Sequence, residues 1–155
     1  QEEAVAADLK KWLEERKARV FIMSPKKHDE LMSAVLGLPH FLGLVACDTL
    51  LEQADYSETK QVAGTTYRLL FTLAEVAAME TPELFNSLQL NLPGLEQLEE
   101  AFLAKAREWL KLIKEKDREA ITRRMEQLKV RLAEKSLDYE RTYELMYKML
   151  EASEK

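Results

Sequence analysis

The two histidines are the first candidates for chemistry, because a neutral imidazole can move a proton or bind a metal ion near neutral pH. His28 and His40 lie twelve residues apart. On a straight helix that spacing corresponds to about 18 Å of rise and about 120° of rotation, so the two cannot share a metal ion. His28 stands beside Asp29 in the first turn of a predicted helix, where the simplest interpretation is a solvated turn. His40 follows Pro39 in an apolar stretch, and either a satisfied core residue or a ligand-binding residue fits that setting.

Arg68 is the next candidate, because it lies in an apolar run and follows the aromatic Tyr67. A buried guanidinium needs an anion or several hydrogen-bond acceptors, whereas a snorkelling one reaches water. The sequence leaves both alternatives open. The basic stretch 118–131 is different, since its arginines and lysines alternate with acids and predict a solvated helix face.

Several kinds of site are missing from the sequence. It has no G-x-G-x-x-G or G-x-x-x-x-G-K-[ST] motif to cradle a dinucleotide or a triphosphate. It has no C-x-x-C, H-E-x-x-H or aspartate-rich calcium loop, so we expect no metal site. The single cysteine, Cys47, lies in an apolar stretch, which indicates an inert core thiol in a reducing, cytoplasmic setting. The net charge of −5 argues against nucleic acid as a partner.

The composition predicts an all-α, multi-helix bundle. The 155 residues are 46% hydrophobic and 33% charged, and they include only four glycines and four prolines. Few glycines and prolines leave few turns, which disfavours a many-stranded β fold. No apolar run approaches the roughly 18 residues that cross a bilayer, so we expect no membrane-spanning segment and no membrane partner.

The first residues predict a remnant of another domain. Apolar positions at helical spacing predict a helix over 2–18, and Arg19–Met23 is typical of a short β-strand. A lone strand leaves its backbone groups unpaired unless a sheet receives it. We therefore expect this helix and strand to be the last αβ unit of a sheet domain whose remainder lies upstream.

A long apolar helix should follow. Ser24 suits its N-cap and Pro25 its first turn. The helix should run to about Asp55 with a disturbance at Pro39, whose missing amide frees carbonyl groups. A kink of this kind could admit a polar ligand or serve packing alone. Because the helix is apolar nearly all round over 34–51, we expect it to be buried in a bundle or at a homodimer interface.

Further helices are predicted from caps, prolines and apolar spacing. The predicted starts and breaks are, in chain order, the cap Ser57, an interruption near Gly64, the cap Thr81 before Pro82, a start at Pro93, a break near Lys116 and Asp117, and a last helix after Ser136. The segment 116–155 should add C-terminal helices to the bundle.

Five short segments, at 24–29, 38–40, 63–68, 81–85 and 89–91, occur in a characteristic order. Their sequences are S-P-K-K-H-D, L-P-H, A-G-T-T-Y-R, T-P-E-L-F and Q-L-N. This order resembles the C-terminal half of the prephenate dehydrogenases and their arogenate-specific relatives. That family carries P-x-x-H-D, then S-H-L-P-H, G-F-R-D-x-T-R-I-A, P-x-L-W and an asparagine.

The resemblance implies four substrate-binding residues. His40 corresponds to the second histidine of S-H-L-P-H, which lies at the substrate in the family. Arg68 and Tyr67 correspond to the arginine and the aromatic residue of F-R-D, and His28 matches the histidine of H-D. The resemblance places no catalytic residue, cofactor-binding residue or metal ligand in this segment.

Four positions depart from the family pattern. The serine and the first histidine of S-H-L-P-H are Leu36 and Gly37, and the aspartate of F-R-D is Leu69. The arginine of T-R-I-A, expected to hold a substrate carboxylate, is Thr72. Since prephenate carries two carboxylates, either other cations serve here or the substrate differs.

The resemblance also implies domains and partners. Residues 1–23 would end a Rossmann-type domain, 24–115 would form the homodimerising substrate domain, and 116–155 would be additional helices. The full-length enzyme would use NAD or NADP to decarboxylate prephenate or arogenate oxidatively in tyrosine biosynthesis, whereas this fragment alone would bind no cofactor and be inactive. The alternative is a non-enzymatic helical interaction module that has lost the pocket.

Overall fold

The computed structural model describes residues 2–53, 55–135 and 141–153, and the regular elements within these ranges are all helical. We number the α-helices in chain order. They are α1 (Glu2–Glu15), α2 (Pro25–Met32), α3 (Leu38–Gln53), α4 (Tyr56–Gln61), α5 (Thr65–Met79), α6 (Pro82–Asn91), α7 (Leu95–Glu115), α8 (Arg118–Lys135) and α9 (Thr142–Ser153), and a π-helical segment, Ser33–Gly37, joins α2 to α3. The prediction of an all-α bundle is confirmed.

The strand predicted at Arg19–Met23 is not formed. Residues 18–24 have no regular secondary structure, and the side chains of Phe21 and Ile22 are 76% and 70% exposed. A strand needs a neighbouring strand to pair its backbone groups, and the described residues contain none. The β-prone composition of this segment is therefore insufficient to form a strand by itself.

The core lies between α3 and α5, which form the most extensive helix pair of the described chain. Small residues allow their close approach. A Cβ added to Gly43 would lie 2.7 Å from the Cβ of Ala77 and 3.1 Å from the carbonyl oxygen of Leu73. Phe71 is buried on α5 and Cys47 on α3, which confirms the predicted place of the cysteine in the core.

The disturbance predicted at Pro39 takes the form of a π-helical turn. The amide of Leu38 donates to the carbonyl of Ser33, five residues back. A wider turn suits this position because Pro39 has no amide with which to continue the α-helical pattern. Ser33 is buried, and its hydroxyl oxygen lies 2.9 Å from the carbonyl oxygen of Pro93. This hydrogen bond fastens the π-helical turn to the loop before α7.

The helical stretch Pro25–Glu52 is long and apolar enough to cross a membrane, as judged by length and composition alone. This finding corrects the expectation that no segment reaches that limit. The apolar run is broken in the sequence by Gly37, Pro39 and His40, but the chain stays helical at all three positions. A central helix of a helical domain meets the same criterion, and although few residues of this stretch are fully buried, most of those over 36–50 are half-buried. The exposed apolar residues Val35, Val45 and Leu51 are those that a contact with another chain could cover.

Two predicted helix starts are wrong. The cap of α4 is Asp55, whose carboxylate accepts from the amide of Ser57 at 2.9 Å, so that Ser57 lies inside the helix. α7 begins at Leu95 rather than at Pro93. Gly94 precedes it with a φ of 74°, a left-handed conformation that glycine adopts without the steric cost of a Cβ.

Other predicted boundaries are confirmed. The hydroxyls of Ser24 and Thr81 accept hydrogen bonds from the backbone of the helices they precede. The predicted break falls at Lys116, which has a left-handed φ of 55° and separates α7 from α8. The predicted cap Ser136 lies outside the described residues.

Candidate functional site

A cleft between α4 and α5 contains two of the four predicted site residues. Tyr67, Arg68 and Thr72 line it from the first turns of α5, and Lys60 reaches it from α4. Glu75 extends the same wall by almost one further turn of α5. The cleft has a volume of about 380 Å³, which is enough for a small organic molecule.

The rings of Tyr67 and Phe71 line the cleft, and the ring of Tyr56 contacts Phe71. Phe71 stacks on Tyr67 with a centroid distance of 5.5 Å and is tilted against Tyr56 at 4.9 Å. The hydroxyl of Tyr67 donates to the Thr59 hydroxyl oxygen at 3.0 Å, which links α5 to α4. The rings are therefore held from both helices, and their apolar surfaces suit a flat or ring-shaped ligand.

A charged cluster of Lys60 and Glu75 lies in the lining of the cleft. The hydroxyl of Tyr56 donates to Oε1 of Glu75. The Lys60 ammonium lies 3.3 Å from the same oxygen and 4.7 Å from the centroid of the Tyr56 ring. The hydrogen bond from Tyr56 is the main reason that the pKa of Glu75 is lowered, and Lys60 adds to the effect. The pKa of Lys60 is raised by Tyr56 and Glu75, so both charges are present at neutral pH.

Thr72 cannot replace the cation that the family pattern carries at this position. Its hydroxyl donates to the carbonyl oxygen of Arg68 at 2.8 Å, so its proton is used within α5. The cationic residues that line the cleft are Arg68, which is half-buried, and Lys60. Lys60 is thus the cation that the cleft offers in addition to Arg68.

His40 is half-buried on α3 and does not line this cleft. Its Nδ1 lies 2.8 Å from the carbonyl oxygen of Leu36. A carbonyl can only accept, so Nδ1 carries a proton, and Nε2 is the acceptor of the neutral ring. Gln89 on α6 donates from its side-chain amide to the carbonyl of Gly37 at 2.9 Å. Side chains thus donate to two carbonyls at the π-helical turn, and Nε2 of His40 has no hydrogen-bond partner among the described residues.

His28 is exposed in the first turn of α2. Its Nδ1 lies 3.0 Å from Oδ1 of Asp29, and more than half of the imidazole is accessible to solvent. This geometry agrees with a solvated turn. The substrate-binding role that the resemblance implies for His28 stays a prediction.

The structure therefore brings Tyr67 and Arg68 together and leaves the two histidines outside their cleft. Sequence reasoning missed Lys60 and Glu75. Tyr56 and Lys60 are four residues apart on one face of α4, which is a signal that the sequence does contain. The contact of Tyr56 and Lys60 with Glu75 could not be predicted from the sequence, because it depends on how the turn over 62–64 packs α4 against α5.

A second, larger cavity of about 820 Å³ lies between α7 and α8. The Arg124 guanidinium lies 4.6 Å from the centroid of the Trp109 ring and 2.7 Å from a carboxylate oxygen of Glu108. The predicted solvated basic face of α8 is thus partly packed on α7. No predicted site residue lines this cavity, and no cluster of three potential metal ligands occurs within 2–53, 55–135 and 141–153.

Comparison with known proteins identifies the family. The family model described as "Prephenate dehydrogenase, dimerization domain" matches residues 24–127, about two thirds of the chain. A probable arogenate/prephenate dehydrogenase from Methanocaldococcus jannaschii is 29% identical over 117 residues, which are 75% of this chain and 26% of that protein. This chain thus spans about a quarter of the relative's length. No solved structure matches. Because the family model covers about two thirds of the chain, the chain belongs to the prephenate dehydrogenase dimerization-domain family.

Proposed function

We propose that the chain is the helical dimerisation and substrate-pocket part of an NAD(P)-dependent enzyme that oxidatively decarboxylates prephenate or arogenate in tyrosine biosynthesis. The observation that carries this proposal is the α4–α5 cleft. It combines the cationic Arg68 and Lys60 with the rings of Tyr67 and Phe71. A ring compound with carboxylate groups matches such a lining, since guanidinium and ammonium groups bind carboxylates and the rings bind an apolar face.

Within this proposal, Arg68 binds a substrate carboxylate and Tyr67 packs against the substrate ring. His40 positions the substrate through Nε2, the nitrogen that has no partner among the described residues. Since His40 does not line the cleft, this contact needs a substrate held partly by groups outside one copy of the described chain.

A second copy of the chain would cover the apolar face of α3. Phe41, Val45 and Leu51 of α3, together with Phe85 of α6, line an open apolar groove of about 540 Å³. Few residues of the stretch Pro25–Glu52 are fully buried, which also supports a contact with a second copy of the chain. A homodimer contact removes this surface from water, which is the usual driving force for such an interface.

The nicotinamide cofactor would be bound by a Rossmann-type domain outside these residues. The described elements contain no strand followed by a glycine-rich turn, which is the usual cradle for a dinucleotide. We therefore assign no cofactor contact and no catalytic residue to this chain. A cytoplasmic location is part of the same proposal and is supported by the single buried thiol of Cys47.

Steady-state kinetics of the complete polypeptide that contains this chain tests the proposal. We expect NAD- or NADP-dependent oxidation of prephenate or arogenate. We expect Arg68→Gln to lower kcat/KM about tenfold or more, since a charged hydrogen bond to substrate is lost. Arg123→Gln, which changes an exposed arginine of α8, serves as the control and should leave kcat/KM unchanged.

The histidine is tested separately. His40→Ala should lower kcat/KM, and an unchanged value would remove His40 from the site. Oxidation of neither substrate by the wild-type protein would overturn the enzymatic function as a whole.

A non-enzymatic dimerisation module is the second candidate, and two positions favour it. Gly37 packs directly against Leu95 where the family pattern has a histidine, and Thr72 stands where the pattern has an arginine. Titration of the chain with prephenate, arogenate and tyrosine separates the candidates. Binding supports the pocket, whereas a stable dimer that binds none of the three supports the module.

A further inference from the structure

Gln89 reaches from α6 to the π-helical turn, and the proposed function gives this residue no role. Its side-chain amide donates to the carbonyl of Gly37 at 2.9 Å, across 52 residues of sequence. Gly37 is buried and Gln89 is half-buried, so this contact lies largely away from solvent. Because a hydrogen bond is directional, it restrains the orientation of the peptide group between Gly37 and Leu38.

The preceding carbonyl of the same turn orients His40. The carbonyl oxygen of Leu36 accepts from Nδ1 of His40 at 2.8 Å. The hydrogen bond that one ring nitrogen makes determines which nitrogen carries the proton of a neutral imidazole. The Leu36 carbonyl therefore selects the tautomer with the proton on Nδ1, and His40 keeps Nε2 as an acceptor while this carbonyl stays in place.

Gly37 connects the two peptide groups whose carbonyls accept these bonds. Glycine has the widest choice of backbone angles, so a rotation at Gly37 is the easiest way to turn the Leu36 carbonyl away from His40. Pro39 has no amide with which to add a backbone hydrogen bond at this turn. Leu95 fills the space beside Gly37, but such a packing contact is far less directional than the hydrogen bond from Gln89.

We propose that Gln89 is a positioning residue that keeps Nε2 of His40 available as an acceptor. Gln89 acts through the Gly37 and Leu36 peptide groups and does not itself contact the substrate. This inference rests on the proposed function, in which Nε2 of His40 contacts the substrate. Since Nε2 accepts, the substrate group that it binds is an O–H or N–H donor.

The tautomer of His40 in the complete polypeptide is the first test. Gln89→Met keeps the length of the side chain but removes its donor. We expect the nitrogen chemical shifts of His40 to show the proton on Nδ1 in the wild type, and we expect a population with the proton on Nε2 to arise in the variant. The spectrum of His40→Ala identifies the signals. Gln127→Met changes an exposed glutamine of α8 and should leave these signals unchanged.

A double-mutant cycle on kcat/KM is the second test. Gln89→Met should lower kcat/KM about three- to tenfold, because the substrate contact of His40 is misplaced. In a His40→Ala background it should have no further effect, since Gln89 acts through His40. A merely structural role would lower kcat/KM by the same factor in both backgrounds. Gln89→Glu, whose carboxylate cannot donate, serves as the second variant if Gln89→Met folds poorly.

The outcomes separate this inference from the function on which it rests. A wild type that oxidises neither prephenate nor arogenate defeats the proposed function, whereas the His40 tautomer still decides whether Gln89 controls the imidazole. In an active enzyme, an unchanged tautomer in Gln89→Met, an unchanged kcat/KM, or an equal loss in both backgrounds overturns the positioning role of Gln89 alone.

Discussion

Leu95 occupies the space that a side chain at Gly37 would need. A Cβ added to Gly37 would lie 2.6 Å and 2.7 Å from the two terminal carbons of Leu95, and Leu95 is only 1% exposed. In this packing, a histidine at position 37 is incompatible with Leu95. Where the family pattern has a histidine, this chain has Gly37, and the absence of a side chain allows the π-helical turn to pack closely against α7.

Gly37→Ala should destabilise the chain by about 1–3 kcal/mol, because the new methyl group overpacks a buried contact. Urea unfolding measures the change. Gly64→Ala is the matched control, since nothing lies within 4 Å of the Cβ that Gly64 lacks. We expect it to change stability by no more than about 0.5 kcal/mol, as the loss of a glycine cap and the lower entropy of the unfolded chain oppose each other. Equal effects of both substitutions would contradict the close packing at Gly37.

Tyr56→Phe should reduce stability by about 1 kcal/mol at pH 7, because Glu75 loses a hydrogen bond at a partly exposed site. The pKa of Glu75 is lowered in the folded state, chiefly by Tyr56. A lowered carboxyl pKa stabilises the fold above the ordinary glutamate value of about 4.3 and ceases to do so as the pH falls through the folded-state pKa.

The difference between wild type and Tyr56→Phe should therefore shrink in acid, as measured by urea unfolding between pH 7 and pH values below about 4. Tyr143→Phe is the control, since Tyr143 is 75% exposed, and it should be neutral at every pH. A difference that stays constant with pH would show that Tyr56 acts by packing alone.

Glu99→Gln should stabilise the chain at neutral pH. Oε1 of Glu99 is buried without a hydrogen-bond partner among the described residues. Burial, followed by repulsion from Glu96, raises the pKa of Glu99. A raised carboxyl pKa costs stability when the group is charged, and this cost disappears as the pH falls below the unfolded value.

The gain from Glu99→Gln should accordingly be largest near pH 7 and vanish in acid. Thermal unfolding across this range measures it. Glu100→Gln changes the exposed neighbour and should give no comparable gain. A loss of stability in Glu99→Gln at pH 7 would mean that the charged form is stabilised rather than strained.

Val45→Glu should weaken the proposed dimer at least about tenfold, because it places a charge in the apolar groove of α3. Val45 is 41% exposed and lines this groove. Val62→Glu alters a valine that is 84% exposed in the turn after α4 and should leave association unchanged. Sedimentation equilibrium at micromolar concentration measures both, and a monomeric wild type under these conditions would contradict the dimer.

Local signals predicted much of the fold. Ser24 and Thr81 cap helices as expected because the capping interaction involves neighbouring residues only. Pro39 disturbed its helix for an equally local reason. The β-prone composition of Arg19–Met23 predicted a strand that is not formed, because a strand also needs a partner strand.

The site was only partly predictable. Tyr67 and Arg68, which line the cleft, were predicted as substrate-binding residues through a family motif. Their substrate-binding role stays a prediction, and their sequence neighbours did not predict the cleft itself. Lys60 and Glu75 are fifteen residues apart, and their contact arises from the packing of α4 on α5. Such a contact needs the tertiary structure, which single-sequence patterns do not supply.

The π-helical turn also sets the angular register of everything that follows it. One extra residue in a turn shifts the subsequent helix by about 100° relative to an uninterrupted α-helix. Deleting a residue such as Val35 would restore a regular α-helix and rotate Gly43 away from Ala77. The close contact between these two residues, which needs a glycine at position 43, would then be lost. The π-helical turn thus determines which face of α3 packs against α5 and which face remains exposed for contact with another molecule.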